Sequence, residues 1–521
     1  MDQNKNQNSI LEIKNVSKIF NKKFYANKNI NLNIKRNTVH AILGENGAGK
    51  STLMSIISGF QKPTFGSYKL NSNTKKPVRI GMVHQHFELV NNFTALQNII
   101  LGNELTEKNF NFFIDYKKAA NRIQKIMNKY DLIVDLKKKV YKLTVGDQQK
   151  IEILKILYTQ SDLLILDEPT AVLSVQEIKK LFEIIRFLIK EGKTVIFISH
   201  KLHEIKEIAD KVTILRNGEV IETFNVNQKT THEIANLMVG RELKEIKNTI
   251  QEANNNDVVL QVKNLTATKH KITRLKNINF NIRKGEILAI AGLQKNGQIV
   301  LLEAIAGILN RKNIVRGNIL VNRKSVLDIP VAKRYWNFLS YIPEDRFKHG
   351  IVKNFNIITN LMLHNLNKMP YVNYGFINND KNIIYGQKII NQFNIKNAHN
   401  GFSPTSNLSG GNQQKIIVGR ELTNKHDLLL VAQPTRGIDV GAIEYVYSQI
   451  LKEKQNNKAV LLVSYELDEI LALADRILVM SHGEIVGEIS GHNATKEKIA
   501  RLMIGKKNNN KEFKEINNET K

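Results

Sequence analysis

The acidic pair Asp167-Glu168 ends the apolar run Leu163-Leu164-Ile165-Leu166, and far upstream stands Gly44-Glu45-Asn46-Gly47-Ala48-Gly49-Lys50-Ser51-Thr52. The latter is a complete phosphate-binding loop, GxxxxGK[ST]. Its successive backbone N–H groups and the helix after it concentrate positive potential on phosphates. Lys50 is expected to reach the β and γ phosphates of a nucleotide, and Ser51 to ligate magnesium. An acidic pair after a strand is commonly a solvated turn. Downstream of a phosphate loop it reads instead as Asp167 holding hydrated magnesium and Glu168 polarising the attacking water. His200 ends another apolar run, Thr194-Val195-Ile196-Phe197-Ile198-Ser199, where an imidazole is in reach of the γ-phosphate. Gln85, after Ile80-Gly81-Met82-Val83, is placed to reach magnesium or water. His84 and His86 flank it, but without a third ligand they read as polar loop residues and not as a metal pair.

Such chemistry needs strand tips gathered at one edge. Residues 39–43 form a short apolar run that ends in the glycine loop, and residues 51–60 read as a helix. That strand–loop–helix context gives the phosphate motif its meaning.

The pattern occurs twice. Leu143-Thr144-Val145-Gly146 recurs as Leu408-Ser409-Gly410-Gly411, an offset of 408 − 143 = 265. Asp167 maps to Ala432, His200 to Tyr465, and Leu237-Met238-Val239-Gly240 to Leu502-Met503-Ile504-Gly505 at the same offset. The phosphate loop maps to Gly292-Leu293-Gln294-Lys295-Asn296-Gly297-Gln298-Ile299, at 292 − 44 = 248, and Gln85 to Glu344, at 344 − 85 = 259. One offset shared along so long a stretch does not arise from composition. Two homologous domains follow: a polar N-terminal tail at 1–9, a first domain at 10–242, a linker at 243–256, a second domain at 257–507 and a low-complexity tail at 508–521, expected to be disordered.

Bulk properties set limits. No run of about 18 apolar residues suggests a membrane span, and the opening MDQNKNQNSI has no apolar signal core. The absence of cysteine excludes disulfides and thiolate metal sites. The net charge of +29 invites a nucleic-acid reading. The lysines are scattered, however, in a chain rich in Lys, Asn and Ile, with no aromatic-interleaved stripe. A solvated surface is the stronger reading, and no nucleic-acid partner is expected.

Together these residues resemble the ATP-binding-cassette (ABC) ATPases over nearly the whole chain. The most specific piece is Leu408-Ser409-Gly410-Gly411-Asn412-Gln413-Gln414-Lys415, which matches that family's signature. The resemblance implies two tandem α/β P-loop ATPase domains, each a RecA-like core with an antiparallel β subdomain and a helical subdomain. It implies that each signature closes over ATP held by the other domain, its hydroxyl and amides meeting the γ-phosphate. Phe20, thirty residues before Lys50, takes the position of the aromatic that stacks on adenine. By itself it reads equally well as a core phenylalanine.

On that resemblance the first site joins Phe20, the loop Gly44 to Thr52, Gln85, Asp167, Glu168 and His200 to Ser409, Gly410, Gly411, Asn412 and Asp439 of the later domain. Every position matches the family pattern. The second site would join the loop at Gly292 to Thr144-Val145-Gly146-Asp147, and there the departures accumulate. Gln298 replaces the lysine, Ile299 the hydroxyl, Glu344 the glutamine, Ala432 and Gln433 the acids, and Tyr465 the histidine. Ser174 faces it in place of Asp439, and no aromatic lies near Thr268. The losses sort by assembled site and not by domain, so one Mg2+·ATP site is expected to be competent and the other not.

The resemblance further implies an ATP-hydrolysing subunit at the cytoplasmic face of a membrane, working with two integral-membrane permease subunits and a substrate-binding lipoprotein. Permease contacts are expected near 85–104 and 344–363. The asymmetry looks like that of simple-sugar and nucleoside importers. The strings around Gln85, Glu344 and Ala432 lean toward nucleosides, because the sugar branch usually keeps the acidic pair. A ribosome-acting tandem ATPase is the rival class, disfavoured by the short linker and the disarmed site.

Overall fold

The computed structural model describes the chain apart from residues 1–7, 22–23, 75, 85–86, 108–109, 171–172, 174, 200, 244–245, 247, 250–256, 270–271, 310–313, 367, 397, 439 and 505–521. Two compact units divide between Leu243 and Lys244.

In the first unit, strands Val39–Leu43, Leu163–Asp167 and Thr194–Ile198 are buried along their whole length. Uninterrupted apolar runs of this kind belong to parallel strands covered on both faces. They lie in a six-stranded sheet ordered Glu219–Asn225, Lys211–Arg216, Val39–Leu43, Thr194–Ile198, Leu163–Asp167, Ile80–Val83. All neighbours pair in parallel except the hairpin Lys211–Arg216 with Glu219–Asn225. The register sets Ile42 against Ile198, Ile198 against Asp167, and Leu166 against Val83, so four strands end on one level. A three-stranded antiparallel sheet, Phe24–Lys35, Ser9–Phe20 and Phe65–Leu70, covers the helix Lys50–Ile57 through Ile10, Leu11, Ile30, Leu53 and Met54. Helices Ala95–Ile100, Tyr116–Tyr130 and Val145–Tyr158 form the helical part.

The second unit repeats the plan. Its core sheet runs Leu339–Ile342, Leu428–Ala432, Ala459–Val463, Ile287–Ala291, Arg476–Ser481, Glu484–Ser490, beside a four-stranded antiparallel sheet. Arg334, nearly fully buried, closes the end of helix Gln298–Ala306: its guanidinium donates to the carbonyls of Ile305 (2.6 Å), Leu327 (3.0 Å) and Ile329 (2.9 Å).

The expected linker at 243–256 is fastened where it is described. Leu243 N–H donates to Asn236 Oδ1 at 2.8 Å in the first unit. Asn248 Nδ2 donates to Leu473 O and Asp475 Oδ1 at 2.9 Å, and Lys454 Nζ donates to Asn248 Oδ1 at 2.7 Å, all in the second. Among the described residues no helix is long and apolar enough to cross a membrane.

Candidate functional site

The first-unit site is built from the level row of strand ends. Leu43 leads into the glycine loop, Asp167 and Glu168 close the next strand but one, and Ser199 ends the strand between them. Ligands of open parallel sheets sit at this carboxyl edge. Gly49, the residue before helix Lys50–Ile57, has φ 96°, and a Cβ there would stand 2.2 Å from the Ala26 carbonyl. Only glycine lets the loop fold this tightly over the start of the helix. Lys50 lies over its own loop, its Nζ donating to the carbonyls of Gly44 (2.7 Å) and Glu45 (3.0 Å). Ser51 is exposed at the helix start.

Asp167 is 8% exposed, and burial, then the neighbouring charge of Glu168, push its carboxyl up to about 6 against the pull of Lys50 and His84. Glu168 sits in the left-handed region at φ 47°, with its N–H donating to Ile198 O at 2.9 Å. A non-glycine residue held there is strained. The structure thus gathers Lys50, Asp167 and Glu168 at one edge. Gln85, His86, Ser174, His200 and Asp439 lie outside the described residues. Among the described residues no cluster of three metal-binding side chains forms, and His84 pairs with Glu88 at 3.5 Å.

Phe20 ends its strand 37% exposed, with the Lys18 ammonium 5.4 Å from its ring centroid. It is therefore partly exposed and not a core phenylalanine. On the second unit, Ser409 is exposed and caps the helix Gly410–Thr423, and Asn412 Nδ2 donates to Ser409 Oγ at 3.0 Å.

Two tying residues escape sequence reasoning. Glu204, 1% exposed, accepts from Thr170 Oγ1 at 2.6 Å and Ser199 Oγ at 3.1 Å, joining the two strand ends behind the acids. The Gln149 amide donates to Pro169 O, joining the first signature helix to the acidic turn. A signal for them exists in the repeat: both recur at the common offset, as Glu469 and Gln414. Burial pushes the Glu469 carboxyl up to about 7, opposed by the neighbouring Ser464 and Thr435 hydroxyls.

The second-unit counterpart keeps the backbone turns and replaces the side chains. Gln298 Nε2 donates to Leu293 O at 3.1 Å, the same carbonyl position that Lys50 holds at Glu45, since 293 − 248 = 45. Its Oε1 is buried without a hydrogen-bond partner among the described residues. Ile299 packs against the apolar core. Gln433 stands where Glu168 does, at φ 48° with its N–H on Val463 O at 2.8 Å. Glu344 is paired with Arg436 at 2.9 Å. Burial, then Glu344, push the Tyr465 hydroxyl up to about 12. An internal ion pair thus stands at the glutamine position of this copy.

A family model described as ABC transporter matches residues 27–171 and 275–436. The chain is 41% identical to the nucleoside import ATP-binding protein NupA of Lactococcus lactis, over 95% of this chain and 98% of that one. It is also 41% identical to the guanosine import ATP-binding protein NupO of Bacillus subtilis, over 95% and 97%. The galactose/methyl galactoside import ATP-binding protein MglA of Clostridium perfringens is 36% identical, over 98% and 99%. Among solved structures, a complex of an archaeal ribosomal stalk protein with the ribosome recycling factor aABCE1 aligns over 94% of this chain and 92% of that one. Its TM-score is 0.64 at 16% identity, which bears on the tandem fold alone. With the doubled cassette, the intact phosphate loop and these relatives, the chain belongs to the ABC transporter family, as one of its ATP-binding, ATP-hydrolysing members.

Proposed function

We propose that this ATPase energises a multi-subunit importer of nucleosides, using one competent composite ATP site and one degenerate site. The observation that carries the reading is how the losses segregate. Lysine, hydroxyl and both acids are gone from the second copy, while Ser409-Gly410-Gly411, the element that in this reading serves the first loop, is kept in the same half.

In the competent site, Lys50 and the loop amides neutralise the β and γ phosphates, and Phe20 stacks on adenine. Glu168 accepts a proton from water as its oxygen bonds to the γ-phosphorus and the bond to the bridging oxygen of ADP breaks. His200 and Gln85 hold the γ-phosphate and the attacking water. Ser409, Gly410, Gly411, Asn412 and Asp439 close the site from the other half. Magnesium fits the donors present: two adjacent carboxyls, one nearly buried and holding its proton up to about 6, with a hydroxyl at Ser51. Ser51, Asp167 and Gln85 would hold it, and when bound it offsets charge on the phosphates.

At the second site, loss of the base alone costs about 10²–10⁴ in rate. Each lost hydrogen bond to phosphate weakens binding by roughly 1.5–3 kcal/mol.

The partners in this reading are two integral-membrane permease subunits and a substrate-binding lipoprotein, with this chain at the cytoplasmic face of the membrane. The nucleoside assignment draws on two relatives of that name at 41% identity, and Ala432-Gln433 also points away from the sugar branch. Relatives named for galactose and xylose at 36% keep a simple-sugar importer as the second reading.

Co-purification with native membrane subunits, followed by substrate-stimulated ATPase assays, tests this. Stimulation by nucleosides is expected. Stimulation by a sugar alone would move the assignment to the second reading, and co-sedimentation with ribosomes without permeases would overturn both.

A further inference from the structure

The two signature helices differ most in what surrounds their first turns. In the second unit Arg346, from the loop after strand Leu339–Ile342, donates Nη1 to the Gly410 carbonyl at 2.8 Å. That carbonyl and the Gly411 N–H belong to one peptide group, so a guanidinium on the oxygen makes the amide a stronger donor. The fit is close on every side. A Cβ on Gly410 would stand 2.8 Å from Gly437 O and 3.1 Å from Arg346 Nη1, and one on Gly437 would stand 3.3 Å from Nη2. Arg346 therefore sits between the signature and the turn after strand Leu428–Ala432. Its loop is pinned by Asp345, whose Oδ1 accepts from the N–H groups of Phe347 (3.0 Å) and Lys348 (3.1 Å), and by Ile351 N–H on Arg346 O at 2.7 Å.

The first unit lacks this arginine and carries different charges. The counterpart of Arg346 is Phe87, at 346 − 259, which has no side-chain donor. Asn412 becomes Asp147, at 412 − 265, and Ala442 becomes Glu177, at 442 − 265. A Cβ on Gly146 would lie 2.7 Å from Glu177 Oε1, and Asp147 accepts from Thr144 Oγ1 at 2.8 Å within the same first turn. Two carboxylates thus stand at one helix start, where Lys150 Nζ pairs with Asp147 at 3.0 Å, while an arginine bonds the signature carbonyl at the other. Charge at a helix N-terminus acts over about one turn, so the two ends differ in their welcome for a phosphate.

We propose that Arg346 is a positioning residue for ATP hydrolysis, holding and polarising the Gly410–Gly411 peptide that the second half lends to nucleotide bound at Lys50. The proposal rests on the composite-site reading above. The loop of the disarmed copy thereby keeps a role in catalysis, since Gln85 serves its own half and Arg346 serves the other.

The test uses the full chain with R346A, R346K, S409A and the double variant S409A/R346A, reading steady-state ATPase kinetics and the affinity of a fluorescent ATP analogue. R346A is expected to lower kcat roughly 10–100-fold, somewhat less than direct loss of one donor to a developing charge. Analogue affinity should change less than about twofold, because the loop contacts at Lys50 are untouched. R346K, which keeps the charge on a single donor nitrogen, should recover part of the loss. In a merely structural role, kcat and affinity would fall together with the melting temperature. The double variant should lose less than the product of the two single losses, since Ser409 through its hydroxyl and Arg346 through the Gly410–Gly411 peptide shape the same helix start. Turnover of R346A within about twofold of the parent, or losses that multiply in the double variant, would overturn the proposal. Should R346A fail to fold, R346K against R346Q carries the same comparison of charge. If S409A leaves turnover intact, the composite-site reading falls and this proposal with it; S409A slow beside an indifferent R346A removes the proposal alone.

Discussion

Replacing Asp167 by asparagine should stabilise the nucleotide-free first unit while destroying its use of magnesium. Asp167 is 8% exposed, beside Glu168, and its carboxyl is displaced from 3.8 to about 6. Between those values the folded chain holds a proton that the unfolded chain has released, so stability falls as pH rises through that window. Above pH 7 the carboxylate is charged in both states and the full penalty is present, at most roughly 3 kcal/mol for such a displacement. Asparagine keeps the shape and cannot ionise. The expected gain is about 1–3 kcal/mol at pH 8, shrinking to nothing near pH 4. The assay is denaturation in EDTA, without nucleotide, at a series of pH values, followed by hydrogen exchange of strand Leu163–Asp167 because two units need not unfold together. Equal stability at pH 8, or a gain that grows toward pH 4, would refute the reasoning, since either result means the ionised carboxyl is not penalised.

Glu168→Gln should lower turnover by about 10²–10⁴ while ATP binding persists; unchanged activity in a phosphate-release assay would remove Glu168 as the base. Gln298→Lys alone should leave ATPase activity unchanged, because Ala432 and Gln433 still lack acids and Ile299 a hydroxyl; a doubled kcat would count against that. Arg334→Ala should destabilise the second unit by about 3 kcal/mol by orphaning buried helix-end carbonyls, seen as earlier melting of that unit alone, and an unshifted transition would contradict it.

The repeat, the strands and the glycine loop are legible in the sequence because each is local: an apolar run, a turn, a fixed spacing. The convergence of Lys50, Asp167 and Glu168 can be read as well, because parallel strands bring their ends to one edge. Contacts that depend on tertiary packing cannot. Glu204 and Gln149 look like ordinary polar helix residues until the fold brings them against Thr170 and Pro169. Arg346 is one letter in a loop string, and only the fold sets it on Gly410. Phe20 is ambiguous in the sequence because an apolar residue at a strand end carries no mark of which way the strand leaves the core. The linker's composition conceals the attachment of Asn248, since polarity describes a surface and not its partners.

The backbone kink at Gln433 outlives the acid it once would have aimed. Holding a long side chain in the left-handed region costs of order 1–3 kcal/mol, and glutamine has no carboxylate to serve as a base. The strain persists because Gln433 N–H is stitched to Val463, inside a sheet the second half needs for its own folding. A glutamate introduced at this position would inherit the backbone conformation already in place, the same left-handed turn that Glu168 occupies in the first unit.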